Sequence, residues 1–316
     1  MNYRALLFVI FLTIFITSCI PGQTERGFGD RGQEGAVDAF TGTKGVDIAL
    51  EQPSPIITFP GEQITFPIRI VNEGRYDTTV TLYVSGYDKS LVQYRQEQQT
   101  VTVEGKKSAG PGQAIPGETK IVYFETNPVQ LVGTSLPQNA VVTACFPYQT
   151  ELTYGVCVDR NANGACDLAQ QPQNSALSAG QGAPVAISTI TGTARGPSVG
   201  KTRITYSIKF IQSDTEKSAR VVKKEKLADA CQGKKLTEVL DFDLIHIDEV
   251  RLGADINLDC PAISSDRPLS LKTTNLVCTA EIPYDSSDYT SGLYIKASYG
   301  FMKSVTQPIT IQALTT

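Results

Sequence analysis

Ile64-Thr65-Phe66-Pro67-Ile68-Arg69-Ile70-Val71 alternates apolar and polar side chains, and Thr79-Val80-Thr81-Leu82-Tyr83-Val84 repeats the pattern after Asn72, Glu73 and Gly74. A period of two puts one set of side chains on each face of a pleated strand, and the β-branched residues suit that surface. Asn72 to Gly74 supplies residues that tolerate a left-handed turn between the strands. The same signature recurs at 121–124, 140–143, 203–210, 240–252, 293–299 and 309–311. Amphipathic helices are scarce; the best candidate is 220–230, whose lysines read as a solvated face. Many short strands at near-regular spacing predict an all-β chain of sandwich architecture.

At 316 residues the chain has room for two ordinary domains. A hydrophobic fraction of 41%, a charged fraction of 19% and a net charge of −4 describe a globular protein with no basic footprint for nucleic acid. Gln, Ser, Gly and Pro dominate 169–184, which predicts a hinge there. The expected division is a β-sandwich at 46–168 and a second at 185–316.

The N-terminus carries Arg4, then an apolar run over 5–16, then Thr17, Ser18 and Cys19. A dozen apolar residues are too few to span a bilayer but match a signal-peptide core. Ile16-Thr17-Ser18-Cys19 resembles the lipobox of prokaryotic lipoproteins, in which the cysteine is lipidated and becomes the new N-terminus. The expectation is a signal peptide at 1–18, a lipid on Cys19, and a Gly-rich tether over 19–45 that holds the domains clear of the membrane. Ordinary cleavage or an uncleaved peptide anchor are the alternatives.

Val46-Asp47-Ile48-Ala49-Leu50, Pro60-Gly61-Glu62, the strand closing on Asn72-Glu73-Gly74 and Val80-Thr81-Leu82-Tyr83-Val84 together resemble the CARDB-type, cell-adhesion-related modules of prokaryotic surface proteins. The second half is similar to partner modules of archaeal surface proteins. The resemblance implies immunoglobulin-like sandwiches and a surface location, without naming a partner.

The strongest candidate for chemistry is the loop from Cys157 to Asp167. Asp159, Asn161 and Asn163 stand at positions 1, 3 and 5 of a calcium loop, Gly164 at position 6 and Asp167 at position 9. Position 12 is Gln170 instead of a bidentate glutamate, so the competing reading is a disulfide-stapled Asn-Gly turn with no ion. Gly196-Pro197-Ser198-Val199-Gly200-Lys201-Thr202 has the wrong glycine spacing for a phosphate loop and leads into a strand, so it reads as a polar turn. His246 is the single histidine, which removes multi-histidine metal centres and confines any catalytic triad to one strand-like run. Asp241, Asp243, Asp248 and Glu249 are carboxylates with no distinguishing spacing. No tryptophan is present as a sugar-stacking platform.

With Cys19 acylated, six of the seven cysteines are left to pair: Cys145, Cys157 and Cys166 in the first half, Cys231, Cys260 and Cys278 in the second. Export predicts disulfides. A hairpin tip near Glu151 would set Cys145 opposite Cys157; a second pair falls within Cys231, Cys260 and Cys278; then either Cys166 crosses between halves or each half keeps a free thiol.

The function expected from all this is that of a non-enzymatic, envelope-anchored lipoprotein on the extracytoplasmic face. It would offer strand edges and loops for adhesion or scaffolding with envelope or surface proteins, with no cofactor beyond the calcium weighed above. The alternatives are a solute-binding lipoprotein serving a transporter, which normally needs α/β lobes, and a carboxylate-based secreted hydrolase.

Overall fold

A computed structural model describes residues 41–52, 54–110, 113–164, 177, 180–198, 200–264, 267–272, 275–285 and 287–313. The signal segment 1–18, Cys19 and most of the tether lie outside these residues. The chain is all-β, as its alternation predicts. The strands of the first half are β1 (Val46–Leu50), β2 (Ile56–Thr58), β3 (Thr65–Asn72), β4 (Thr78–Ser85), β5 (Gln98–Val103), β6 (Lys107–Gly110), β7 (Gln113–Ile115), β8 (Thr119–Glu125) and β9 (Ser135–Val158). The second half adds β10 (Val185–Ser198), β11 (Lys201–Gln212), β12 (Arg220–Val222), β13 (Leu244–Leu252), β14 (Ile256–Asn257), β15 (Leu269–Ser270), β16 (Leu276–Pro283) and β17 (Tyr289–Gln312).

The spine is the antiparallel pair β9 and β17, in register over 24 residues of each strand, from Ser135↔Gln312 to Val158↔Tyr289. Every even-numbered residue of β9 from Ala140 to Val158 is buried, and so is every odd-numbered residue of β17 from Leu293 to Ile311 except Val305. Because the phase never slips, one face of the spine is covered along that whole stretch. Phe146 meets Phe301 there, both fully buried, with ring centroids 5.6 Å apart.

Around this pair the main sheet runs β5-β4-β9-β17-β13-β14, and β12 and β2 take up the flank of β17 beyond β13. Two three-stranded sheets, β1-β3-β8 and β10-β11-β16, complete the sandwich. Their inward residues, Phe66, Ile68 and Ile70 on β3 and Ile204, Tyr206, Ile208 and Phe210 on β11, join the spine in one contiguous core. Each such side chain removed from water contributes about 1.5–3 kcal/mol.

The strand order explains how the halves connect. β1 pairs antiparallel with β3, then the chain crosses and β2 pairs parallel with β17, so the first strand is split between both sheets. β5, β4, β9, β17 and β2 face β1, β3 and β8 in the manner of an immunoglobulin sandwich, with β9 and β17 as its long antiparallel pair. The second sandwich is built from the 130 residues between those two strands, using their far ends.

Composition marks 169–184 as a hinge, and part of it lies outside the described residues. The described part, 177 and 180–184, is buried. Gly182 donates to Gly42 at 3.0 Å and accepts from Arg75 at 2.9 Å, and Gln181 accepts from the Ile187 amide at 2.7 Å. Small residues are needed because of close backbone approach: a Cβ on Gly180 would lie 2.2 Å from the Gly42 carbonyl oxygen. The end of the tether is likewise fixed, with Gly45 buried against Pro184 and Phe146. The helix expected over 220–230 is shorter: β12 occupies its start, a 3-10 turn spans Lys224–Lys226, and only Leu227–Cys231 is α-helical.

Candidate functional site

In the Asp159 loop, Ala162 and Gly164 take positive φ, 53° and 78°, and fold the backbone back over the carboxylate. Asp159, buried, accepts from the Asn163 amide at 3.2 Å and the Gly164 amide at 2.9 Å, and Asn161 Oδ1 accepts from the Asn163 amide at 2.9 Å. Asp159 and Asn161 therefore turn side-chain oxygens onto the backbone amides of Asn163 and Gly164 in one tight turn. Asp167 lies outside the described residues. Arg160 pins the loop to the second half, through Asp285 at 3.0 Å, the Pro283 carbonyl at 3.1 Å and Asp288, which accepts from its amide at 3.0 Å.

The cysteine pairing matches the expectation for a pair within the second half and departs from it at Cys145. Cys145 is bonded to Cys231 and Cys260 to Cys278. Glu151 is no hairpin tip: it sits in the middle of β9, opposite Lys296, so Cys145 and Cys157 lie on one strand and cannot face each other. Cys157 is disulfide-bonded, and Cys166 lies outside the described residues. All three cysteines of the second half are already used, so the bridge that crosses between halves is Cys145–Cys231, not one from Cys166. Disulfides in a chain of this kind belong to an extracytoplasmic protein. No helix among the described residues is long and apolar enough to cross a membrane.

His246 lies on β13 with its side chain 37% exposed, 3.8 Å from Asp248. Asp248 accepts from Ser298 at 2.9 Å, Glu249 pairs with Arg251 at 2.9 Å, and Asp243 pairs with Lys272 at 2.5 Å. Asp241 closes the helical turn Glu238–Asp241 and accepts from the Thr237 amide. These carboxylates are tied into separate local contacts and do not gather at one point. Lys201 begins β11 after the turn at Gly200, as the turn reading of 196–202 predicts.

Two edges of the first sandwich, β5 and β8, are tied to each other. Gln99 Nε2 on β5 donates to the Tyr123 carbonyl on β8 at 2.6 Å, Lys120 Nζ donates to the Thr102 carbonyl at 2.6 Å, and the Arg95 and Glu118 amides bond across at 2.9 Å. Such mutual capping removes the template that an open strand edge offers.

A groove of about 700 Å³ lies on the main sheet at the point where β4 leaves β9. The β4–β9 ladder ends at Cys145, and Pro147, two residues on, has no N–H to continue it. Thr78 instead donates its hydroxyl to the Pro147 carbonyl at 2.7 Å. The helix Leu227–Cys231 crosses nearby: Leu227 packs on Gly300, and Cys231 is bonded to Cys145. Arg75, Lys107 and Lys224 line the groove with a single carboxylate, Asp77, alongside Thr79, Thr102, Gln149 and Ser298. Lys107 is paired with Glu104 at the margin, so the lining is cationic chiefly through Arg75 and Lys224.

A second cluster lies at the seam between the two small sheets. Lys303 occupies a core-phase position of β17, opposite Ala144, with its side chain 1% exposed. Its ammonium contacts Asp47 on β1, lies 2.7 Å from Glu216 and 3.8 Å from Asp214. Lys44 bridges the same carboxylates, 3.1 Å from Asp47 and 3.1 Å from Glu216. Burial alone would pull Lys303 down, but hydrogen bonds to Asp47 and Glu216 outweigh it and hold it above the ordinary lysine value. Burial pushes the Asp214 carboxyl up. Burial also works to raise Asp47, yet hydrogen bonds from Lys303 and Lys44 leave it below its ordinary value. Sequence reasoning missed this cluster, although a lysine in phase with Tyr299, Phe301, Ile309 and Ile311 was its signal.

No protein-family model matches the chain, and no curated protein sequence matches it either. Among solved structures, the ASH/PapD-like domain 7 of human CEP192 is similar over 32% of this chain and 72% of its own, at 16% identity and a TM-score of 0.19. The CsuC–CsuE chaperone–tip adhesion subunit complex from the Csu pili of Acinetobacter baumannii is similar over 85% of this chain and 100% of its own, at 10% identity and a TM-score of 0.17. At these scores neither likeness bears on what this chain does, and the sandwich is established by its own strand pairing.

Proposed function

We propose that this chain is a non-catalytic interaction protein of the cell envelope, held to the extracytoplasmic face by lipid on Cys19, that acts in adhesion or scaffolding. The CARDB-like pattern of 46–84 supports the surface role. The observation that carries the reading is the groove beside Pro147: three cations and several hydroxyl and amide groups, with one carboxylate, suit a polar, anionic surface component. Groove binding takes the place of strand addition, because β5 and β8 already cap each other. Calcium at Asp159, Asn161, Asn163 and Asp167 would brace the end of β9 and supply no chemistry.

The test is retention of the purified chain on isolated envelope material in rising salt. Wild type is expected to bind and to release with salt; replacing Arg75 and Lys224 with Glu is expected to abolish retention while leaving the melting curve intact. Equal retention of both forms would remove the groove from the account. The solute-binding alternative draws on the groove's volume, and equilibrium dialysis against small organic anions separates it from the polymer-binding reading.

A further inference from the structure

We propose that Lys303 and Asp47 join in an intramolecular amide bond, a covalent cross-link between the last long strand and the first. The two residues are 256 positions apart, yet β17 and β1 hold the amine against the carboxyl group within the folded sandwich. Lys303 has no way to leave: its side chain is 1% exposed and fixed in phase with Phe301 on the covered face of the spine. Two groups held in contact by a rigid frame react as though at very high concentration, which is what an otherwise slow condensation needs.

The surroundings supply the proton transfers. Glu216 lies 2.7 Å from the Lys303 nitrogen and is placed to take its first proton. Asp214 lies 3.8 Å away, and its buried Oδ2 has no hydrogen-bond partner. Burial raises the Asp214 carboxyl above its ordinary value, and Lys303 itself already donates to Asp47 Oδ1, so a proton has a direct path to the departing oxygen. The nitrogen attacks Asp47 Cγ; a C–N bond forms and a C–O bond breaks. Of the three ammonium protons one stays on the amide nitrogen and two leave with the oxygen as water. Glu216 and Asp214 end as they began, and no electron is transferred. Asp47 is 25% exposed and Glu216 45% exposed, which gives the water an exit. The product removes two charges from a place where solvation is poor. It also locks β1 to β17 at the level where the two sandwiches meet.

The full chain, reduced and digested with trypsin, decides the matter. A cross-link at Lys303 blocks cleavage there, so residues 45–69 are expected joined to residues 297–316, lighter by one water than the two peptides together. Lys303→Arg is expected to release 45–69 as a linear peptide, and Asp214→Asn to slow the appearance of the joined species. Recovery of 45–69 and 297–303 as separate peptides from folded wild type would overturn the proposal, as would Lys303 joined to any other carboxylate. The wild-type digest is sufficient by itself if a variant fails to fold.

Discussion

Cys145 and Cys231 are bonded across a sequence separation of 86 residues, with their α-carbons 6.0 Å apart. The bond fastens the helix Leu227–Cys231, a product of the second half, onto β9 beside β4 of the first. Cys231→Ser is expected to cost about 2–4 kcal/mol of stability, the usual effect of removing a bridge that closes a loop of this size. Denaturant unfolding should show the loss, and reductant should lower the wild type by at least as much.

The tight seam between the small sheets makes glycine substitutions unequal. A Cβ on Gly74 would lie 1.8 Å from the Tyr148 hydroxyl and 2.7 Å from the Gly182 carbonyl, whereas on Gly155 it would meet only Thr290 at 3.9 Å. Gly74→Ala is expected to destabilise by about 1–3 kcal/mol through overpacking. Gly155→Ala, in an extended position of β9, is expected to be neutral or to stabilise by about 0.4–1 kcal/mol through the unfolded chain. Paired urea titrations compare the two.

Asp159 is buried and satisfies two backbone amides. Its replacement by Ala is expected to cost about 1–3 kcal/mol, the penalty for stranded polar groups. If calcium occupies the loop, millimolar calcium raises the melting temperature of wild type and chelation reverses the gain, while the variant ignores both. A wild type indifferent to calcium and chelator would reduce the loop to a stapled turn.

Burial pushes the hydroxyls of Tyr94, Tyr148, Tyr206 and Tyr299 above the ordinary tyrosine value. In an unfolded chain these groups ionise near pH 10 and in the fold only later, so the unfolded state holds fewer protons above that pH and stability falls as pH rises through it. Tyrosinate absorbance should therefore rise in two stages. Exposed rings titrate reversibly first; the buried set ionises together with the loss of the β-sheet signal.

The strands were legible because their alternation is local, and β3 and β4 lie where Ile64–Val71 and Thr79–Val84 place them. The continuity of β9 was not. Pro147 stands within it where the β4 ladder stops, and Gly155 faces only Thr290. Mistaking Glu151 for a turn set Cys145 against Cys157 and hid its bond with Cys231. Within 169–184, Gly180 is selected by its close approach to the Gly42 backbone. That Asp159 and Asn161 share a tight turn was legible from their spacing. The Lys303 cluster needed the phase of β17, and the groove needed the third dimension, since Arg75, Lys107, Lys224 and Ser298 come from four separate parts of the chain.

The shared spine is tested most directly by native-state hydrogen exchange in rising urea, following β3 and β4 in the first half and β10 and β11 in the second. With β9 and β17 built into both sandwiches, the amides of all four strands are expected to lose protection at one urea concentration, and those of the spine no earlier. Loss of protection in one half while the other stays fully protected would show two independent domains and contradict the interlocked fold.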